Sequence, residues 1–195
     1  MIENNLNYRR NQNLIECKNQ SKTKNGYIIP KFKKGIGMKG EIKIFDQELS
    51  DRFDKRSRML IKSKLGPTVK DNPNKYAEDM LVMTNKIPYK YIELQVYGKW
   101  TDDTFPYESP FIYERKMKFD QSTLFICFNA SFDRIIIFDR EAVNPKLHCM
   151  MSRFTKIKEY INYIPWSKTI TLDTNKLSAN IIKNYYDLVN FNENS

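Results

Sequence analysis

Two apolar runs in close succession, Leu124-Phe125-Ile126-Cys127-Phe128 and Arg134-Ile135-Ile136-Ile137-Phe138, constrain this chain more than any other feature. Neither alternates polar with apolar, so neither suits a surface with one face in water. Both read as strands buried on both faces, at the centre of a sheet. Asn129-Ala130-Ser131 lies between them and predicts a short hairpin. Upstream, residues 111–119 alternate instead. Phe111, Tyr113, Met117 and Phe119 fall on one face, and Glu114, Lys116 and Lys118 on the other, as in a half-buried strand.

Two shorter runs, residues 78–83 and 91–96, read as strands joined by the turn-like Asn85-Lys86-Ile87-Pro88. In the second, Ile92, Leu94 and Val96 share one face, while Glu93, Gln95 and Tyr97 share the other. Asp79 opens the first strand, so pairing of the two brings Asp79 close to Glu93. Two carboxylates converging at strand ends suit Mg²⁺, which takes hard oxygen ligands and keeps positions for water and phosphate. The other reading is a sheet whose edge carboxylates make ordinary surface hydrogen bonds.

The remaining pattern predicts helices over 46–64, 152–163 and 175–191. Asp46 caps the first, Gly66-Pro67 stops it, and Pro165 ends the second. Further strands are expected at 27–32, 41–45 and, as an edge, 168–172. Gly35-Ile36-Gly37-Met38-Lys39-Gly40 is a literal G-x-G-x-x-G, but it leads into a β-like stretch and not a helix. It therefore reads as a hairpin permitted by glycine and not as a dinucleotide fingerprint. The sum is an α+β fold, a central mixed and mostly antiparallel sheet flanked by helices. A polar, basic and weakly ordered arm at 1–26 precedes a single domain over 27–195.

At 195 residues the chain can bury a core without disulfides or metals. Its cysteines, Cys17, Cys127 and Cys149, and its single His148 lack zinc-site or disulfide-framework spacing. A reducing compartment, cytoplasm or nucleus, is expected. No run approaches a membrane span and the first residues carry no secretory signal, so no membrane partner is expected. The richness in Asn, Lys, Ile and Tyr is what an AT-rich genome encodes, such as that of a large DNA virus, a phage or a low-GC organism. A net charge of +10 points to a polyanionic partner, nucleic acid first.

An acid at a strand start, followed on the next strand by an acid-x-Lys triplet, is the pattern of the PD-(D/E)xK nuclease superfamily. Residues 78–95 resemble it. Asp79 matches the first acid and Glu93 the second; Ala77-Glu78 stands where the motif's Pro is expected, and Gln95 stands at the Lys position. The resemblance implies a restriction-endonuclease-like fold and Mg²⁺- or Mn²⁺-dependent hydrolysis of phosphodiester bonds in DNA rather than RNA. It implies metal ligands Asp79 and Glu93, joined by Glu48 from the preceding helix with Asp51 close behind. Gln95 would orient the attacking water and Lys116 would restore the missing cation. Lys99, Arg115 and Lys118 would meet phosphates, Trp100 would stack on a base, and a homodimer is an allowed assembly. A second reading keeps the fold without the chemistry: a basic nucleic-acid-binding or virion-associated structural protein. A third is a protein-interaction module using the aromatic-rich C-terminal region.

Overall fold

The structure is a computed structural model that describes residues 51–143, 147–151 and 158–193, with the residue pairs 21–22 and 28–29. The chain divides into two compact units, Met1–Ile42 with Cys149–Glu159, and Lys43–His148 with Tyr160–Ser195. In the first, β1 (Ser21–Lys22) pairs antiparallel with β2 (Ile28–Ile29), Ser21 opposite Ile29. The Tyr27–Phe32 expectation is met by those two residues. The glycine motif, the strand at 41–45 and most of the N-terminal arm lie outside the described residues.

The second unit carries the large sheet. Its strands are β3 (Val69–Asp71), β4 (Met80–Val82), β5 (Tyr91–Tyr97), β7 (Thr123–Asn129), β8 (Arg134–Asp139) and β11 (Ile170–Asp173), with β6 (Phe111–Tyr113) set apart from them. Across the sheet the order is β11-β8-β7-β5-β4-β3. Only β5 and β7 run parallel; the other neighbours are antiparallel. The expected mixed, mostly antiparallel sheet is present. Every residue of β7 is buried, and so is β8 from Ile135 onward, as their unbroken apolar runs require. Their connection is longer than a tight hairpin. Buried Asn129 holds it, accepting from Asp133 N and Arg134 N at 3.1 Å each. Phe132 adopts a positive φ of 68° there, which lets its ring pack on Phe128 at 5.3 Å.

One five-residue π-helical turn, Asp51–Lys55, leads into α1 (Arg56–Leu65), which buries Ser57, Ile61 and Leu65. Ile61 and Leu65 join Ile92, Leu94, Leu124 and Ile126 in one apolar cluster. The expected helix is thus found over its described part and ends at Gly66; its Asp46 cap lies outside that part. At the other end Ser178 caps α2 (Ala179–Lys183), accepting from Ile181 N at 3.4 Å, and α3 (Tyr185–Glu193) follows after a break at Asn184. Of the apolar stripe Leu177, Ile181, Ile182, Tyr185, Leu188 and Val189, Leu177, Ile182, Tyr185 and Val189 are buried, Ile181 is half-buried and Leu188 is exposed.

Two expected elements are corrected. Residues 158–163 of the expected 152–163 helix form a strand, β10 (Lys158–Tyr163), paired antiparallel with β6: Ile161 opposite Tyr113, Asn162 opposite Ile112 and Tyr163 opposite Phe111. The apolar spacing there suits either period, and a strand partner decides it. β10 and β9 (Leu147–Met151) both straddle the division between the units. The expected strand over 111–119 stops at Tyr113, and Glu114–Lys118 coil into a 3₁₀ helix. Because β5 and β7 are parallel, the chain must cross over between them. β6 and this 3₁₀ turn are part of that crossover. Among the described residues no helix is long and apolar enough to cross a membrane.

Candidate active site

Glu93 and Gln95 sit two residues apart on β5 and so share a face; Leu94 between them faces the apolar cluster. Asp79 immediately precedes β4, whose register sets Met80 opposite Ile92 and so delivers Asp79 beside Glu93. The ladder does not simply continue there. Asp79 N donates to Glu93 Oε2 at 3.2 Å, and Leu94 N donates to Asp79 Oδ2 at 2.8 Å. The two acids are thereby fixed against one stretch of main chain.

Each acid has a cation. Lys116, on the 3₁₀ turn of the crossover and 8% exposed, places Nζ 2.9 Å from Glu93 Oε1. The same ammonium donates to Gln95 Oε1 at 3.2 Å and to Leu94 O at 3.3 Å, so all three of its protons have acceptors. Gln95 Nε2 in turn donates to Phe111 O at 3.0 Å. Tyr97 tightens that junction, its hydroxyl donating to Phe111 O at 2.6 Å and accepting from Phe111 N at 3.0 Å. Gln95 therefore holds Lys116 in place with one end and the crossover with the other.

Arg58 on α1 is the second cation. Its guanidinium meets both the side chain and the main-chain carbonyl of Asp79, and its Nε pairs with Asp54 Oδ1 at 2.8 Å. Sequence reasoning did not single out Arg58. Its tie to Asp79 spans 21 residues, a contact that no local pattern encodes. Glu78 was likewise passed over. It is buried and clasps the crossover, accepting from Asp120 N at 2.8 Å and Thr123 Oγ1 at 3.1 Å.

Burial dominates the electrostatics. It pushes the Glu93 carboxyl up to about 7, with Lys116 opposing the rise and Asp79 adding to it. Asp79 is raised as well, burial outweighing the pull of Arg58 and of the Leu94 amide. A carboxyl that titrates near neutrality beside a second carboxylate, in a cleft, is a pattern typical of functional sites.

The cleft measures about 480 Å³. Asp79, Glu93, Gln95 and Lys116 line it, and so do Lys75, Tyr76, Arg115, Lys118, Phe119 and Phe53. Of the expected nucleic-acid contacts, Arg115 and Lys118 are here and exposed. Lys99 is not; it lies over the Tyr107 ring at 5.8 Å. Trp100 requires correction: at 1% exposure it has no face to offer a base. The turn after β5 folds it inward, with Trp100 N on Tyr97 O at 2.9 Å and its ring edge-on to Phe105 at 5.3 Å. Tyr76, 87% exposed, is the aromatic displayed at the cleft, and no sequence pattern distinguished it. Glu48 and its alternate Asp51 cannot be assigned here; Glu48 lies outside the described residues.

The donors a divalent metal would take here are Asp79 and Glu93, which the structure brings side by side. Among the described residues no group of three or more His, Cys, Asp or Glu side chains gathers to hold an ion. Mg²⁺ often takes only one or two carboxylates; here each of the four oxygens already accepts a hydrogen bond, from Arg58, Leu94 N, Lys116 and Asp79 N, so an ion would have to displace some of these.

No family model matches the chain, and no curated protein or solved structure matches it either.

Proposed function

We propose that the protein is a divalent-metal-dependent nuclease with a restriction-endonuclease-like arrangement, hydrolysing phosphodiester bonds in DNA. One observation carries this reading. Where the PD-(D/E)xK pattern asks for a lysine and the sequence has Gln95, the ammonium of Lys116 stands 3.2 Å from the Gln95 amide oxygen and 2.9 Å from Glu93. An ammonium from the crossover would thus take the place of the triplet's cation. Asp79 and Glu93 would hold Mg²⁺ or Mn²⁺, which when bound polarises the scissile phosphate and lowers the pKa of a bound water. Lys116, whose three protons are held by Glu93, Gln95 and Leu94, would release one of these to donate to a water or a phosphate oxygen as charge develops. Gln95 orients Lys116 and does not act as a base, since an amide has no useful pKa. Arg115 and Lys118 at the cleft meet phosphates without reading sequence.

A second reading is favoured by a different observation. Both acids are already paired, Asp79 with Arg58 and Glu93 with Lys116, and both polar ends of Gln95 are engaged. A charge-balanced site of this kind also suits a nucleic-acid-binding protein without catalysis. Incubation with plasmid and single-stranded DNA in Mg²⁺ or Mn²⁺, with and without chelator, separates the two. The nuclease reading expects cleavage that chelator abolishes and that Glu93→Gln and Asp79→Asn both lose. DNA left intact under every metal condition leaves the binding protein standing.

A further inference from the structure

Beyond the chemistry at its base, the cleft carries an unassigned feature at Tyr76. The loop between β3 and β4 is pinned by its own polar groups. Asn72 Oδ1 accepts from Asn74 N at 3.0 Å, Asn74 Oδ1 accepts from Tyr76 N at 3.1 Å, and Asn72 N donates to Asp79 O at 3.0 Å. The loop so fixed carries Tyr76, 87% exposed at the cleft, next to the exposed Lys75. Arg115 and Lys118 also line the cleft. An exposed ring among cations is what binds a strand whose bases are unstacked, the ring taking a base face and the cations the phosphates.

The dimensions agree. Glu93, at 6% exposure, lies at the base of a cleft of about 480 Å³, a volume of the order that takes one small organic group such as a base. We infer that the cleft takes a nucleic-acid strand with an unpaired base, which stacks on Tyr76 while Lys75, Arg115 and Lys118 hold the adjoining phosphates. This deepens the nuclease reading, since it names the substrate form of the same site, but its test needs no cleavage.

The full chain in chelator is titrated into fluorescent single-stranded DNA, single-stranded RNA of the same sequence and the blunt DNA duplex, followed by anisotropy at low salt. The parent is expected to prefer a single strand over the duplex, and the tighter single strand assigns DNA or RNA. Tyr76→Ala is expected to weaken single-strand binding about 5- to 150-fold, the range for one lost base stack, with the duplex changed less than about 3-fold. Tyr76→Phe and Tyr76→Trp are expected to bind as the parent does. Exposure of the ring means that Tyr76→Ala folds, which circular dichroism checks. An equal loss on duplex and single strand, no loss on either, or a parent that binds no nucleic acid overturns the inference. Because chelator is present throughout, a protein that never cuts can still meet these expectations, so failure of the nuclease reading stays distinguishable.

Discussion

Among single residues, Glu93 and Lys116 decide the most, because each is buried and the other is its charged partner. Removing one member of a buried pair leaves an uncompensated charge and typically costs about 3–5 kcal/mol. The cost depends on pH in a direction that the Glu93 carboxyl sets. In the folded protein burial raises it to about 7, whereas the unfolded chain releases that proton near the ordinary value of 4.5. Its contribution to stability is therefore full below 4.5 and is lost as pH rises to about 7. Lys116→Met is expected to lower unfolding stability by about 3–5 kcal/mol at pH 8 and by clearly less at pH 5.5, where Glu93 carries a proton and needs no cation. Urea unfolding at the two pH values measures it; an equal loss at both would show that Lys116 packs without pairing. At this scale the sequence was legible wherever the partner was local. Glu93 and Gln95 share a face by spacing alone, and pairing of the 78–83 and 91–96 runs brought Asp79 in. Lys116 could be placed on the polar side of its stretch, but not in contact with Glu93. Arg58, Trp100 and Tyr76 were settled by long-range packing, which local spacing does not carry.

The same pH logic links the site to its proposed metal. An ion can replace the proton of Glu93 only by competing with it. Thermal stabilisation by Mg²⁺ or Mn²⁺ is expected to be larger at pH 8 than at pH 6, and absent in Glu93→Gln. Stabilisation that is independent of pH, or that survives Glu93→Gln, would place the ion elsewhere.

At the level of elements, those with an unambiguous period were legible and the crossover was not. β5, β7 and β8 follow from unbroken or alternating apolar runs, and the end of α1 follows from its Gly66-Pro67 stop. In the 98–122 crossover the alternation over 111–119 forms a strand only to Tyr113 before the chain coils, and residues 158–163 satisfy a helical spacing while their partner makes them a strand. The α1 stop offers a test free of packing. Gly66 has φ 57° and ψ −136°, a region closed to side-chain-bearing residues, and its N–H bonds back to Lys62 O. A Cβ there would meet nothing within 4 Å, so the cost of Gly66→Ala is all backbone. We expect about 1–3 kcal/mol of lost stability. A variant as stable as the parent in urea would mean that the helix end relaxes into another turn.

For the whole molecule, the question is where a net charge of +10 acts. The acids at the base of the cleft are balanced by Arg58 and Lys116, so a passing phosphate meets the outer cations Lys75, Arg115 and Lys118. Phosphate neutralisation releases condensed counterions, and each contact on a single strand steepens the dependence of log affinity on log salt by about 0.7. Three contacts give a slope of about −2. Lys118→Ala is expected to make the slope shallower by about 0.7 and to weaken all sequences alike, because a phosphate contact reads no base. Tyr76→Ala is expected to lower affinity with the slope unchanged, since stacking releases no ions. Titrations of both variants at three or more salt concentrations decide the point. A steep slope that Lys118→Ala leaves intact would move the polyanion off the cleft and onto another basic surface of the protein.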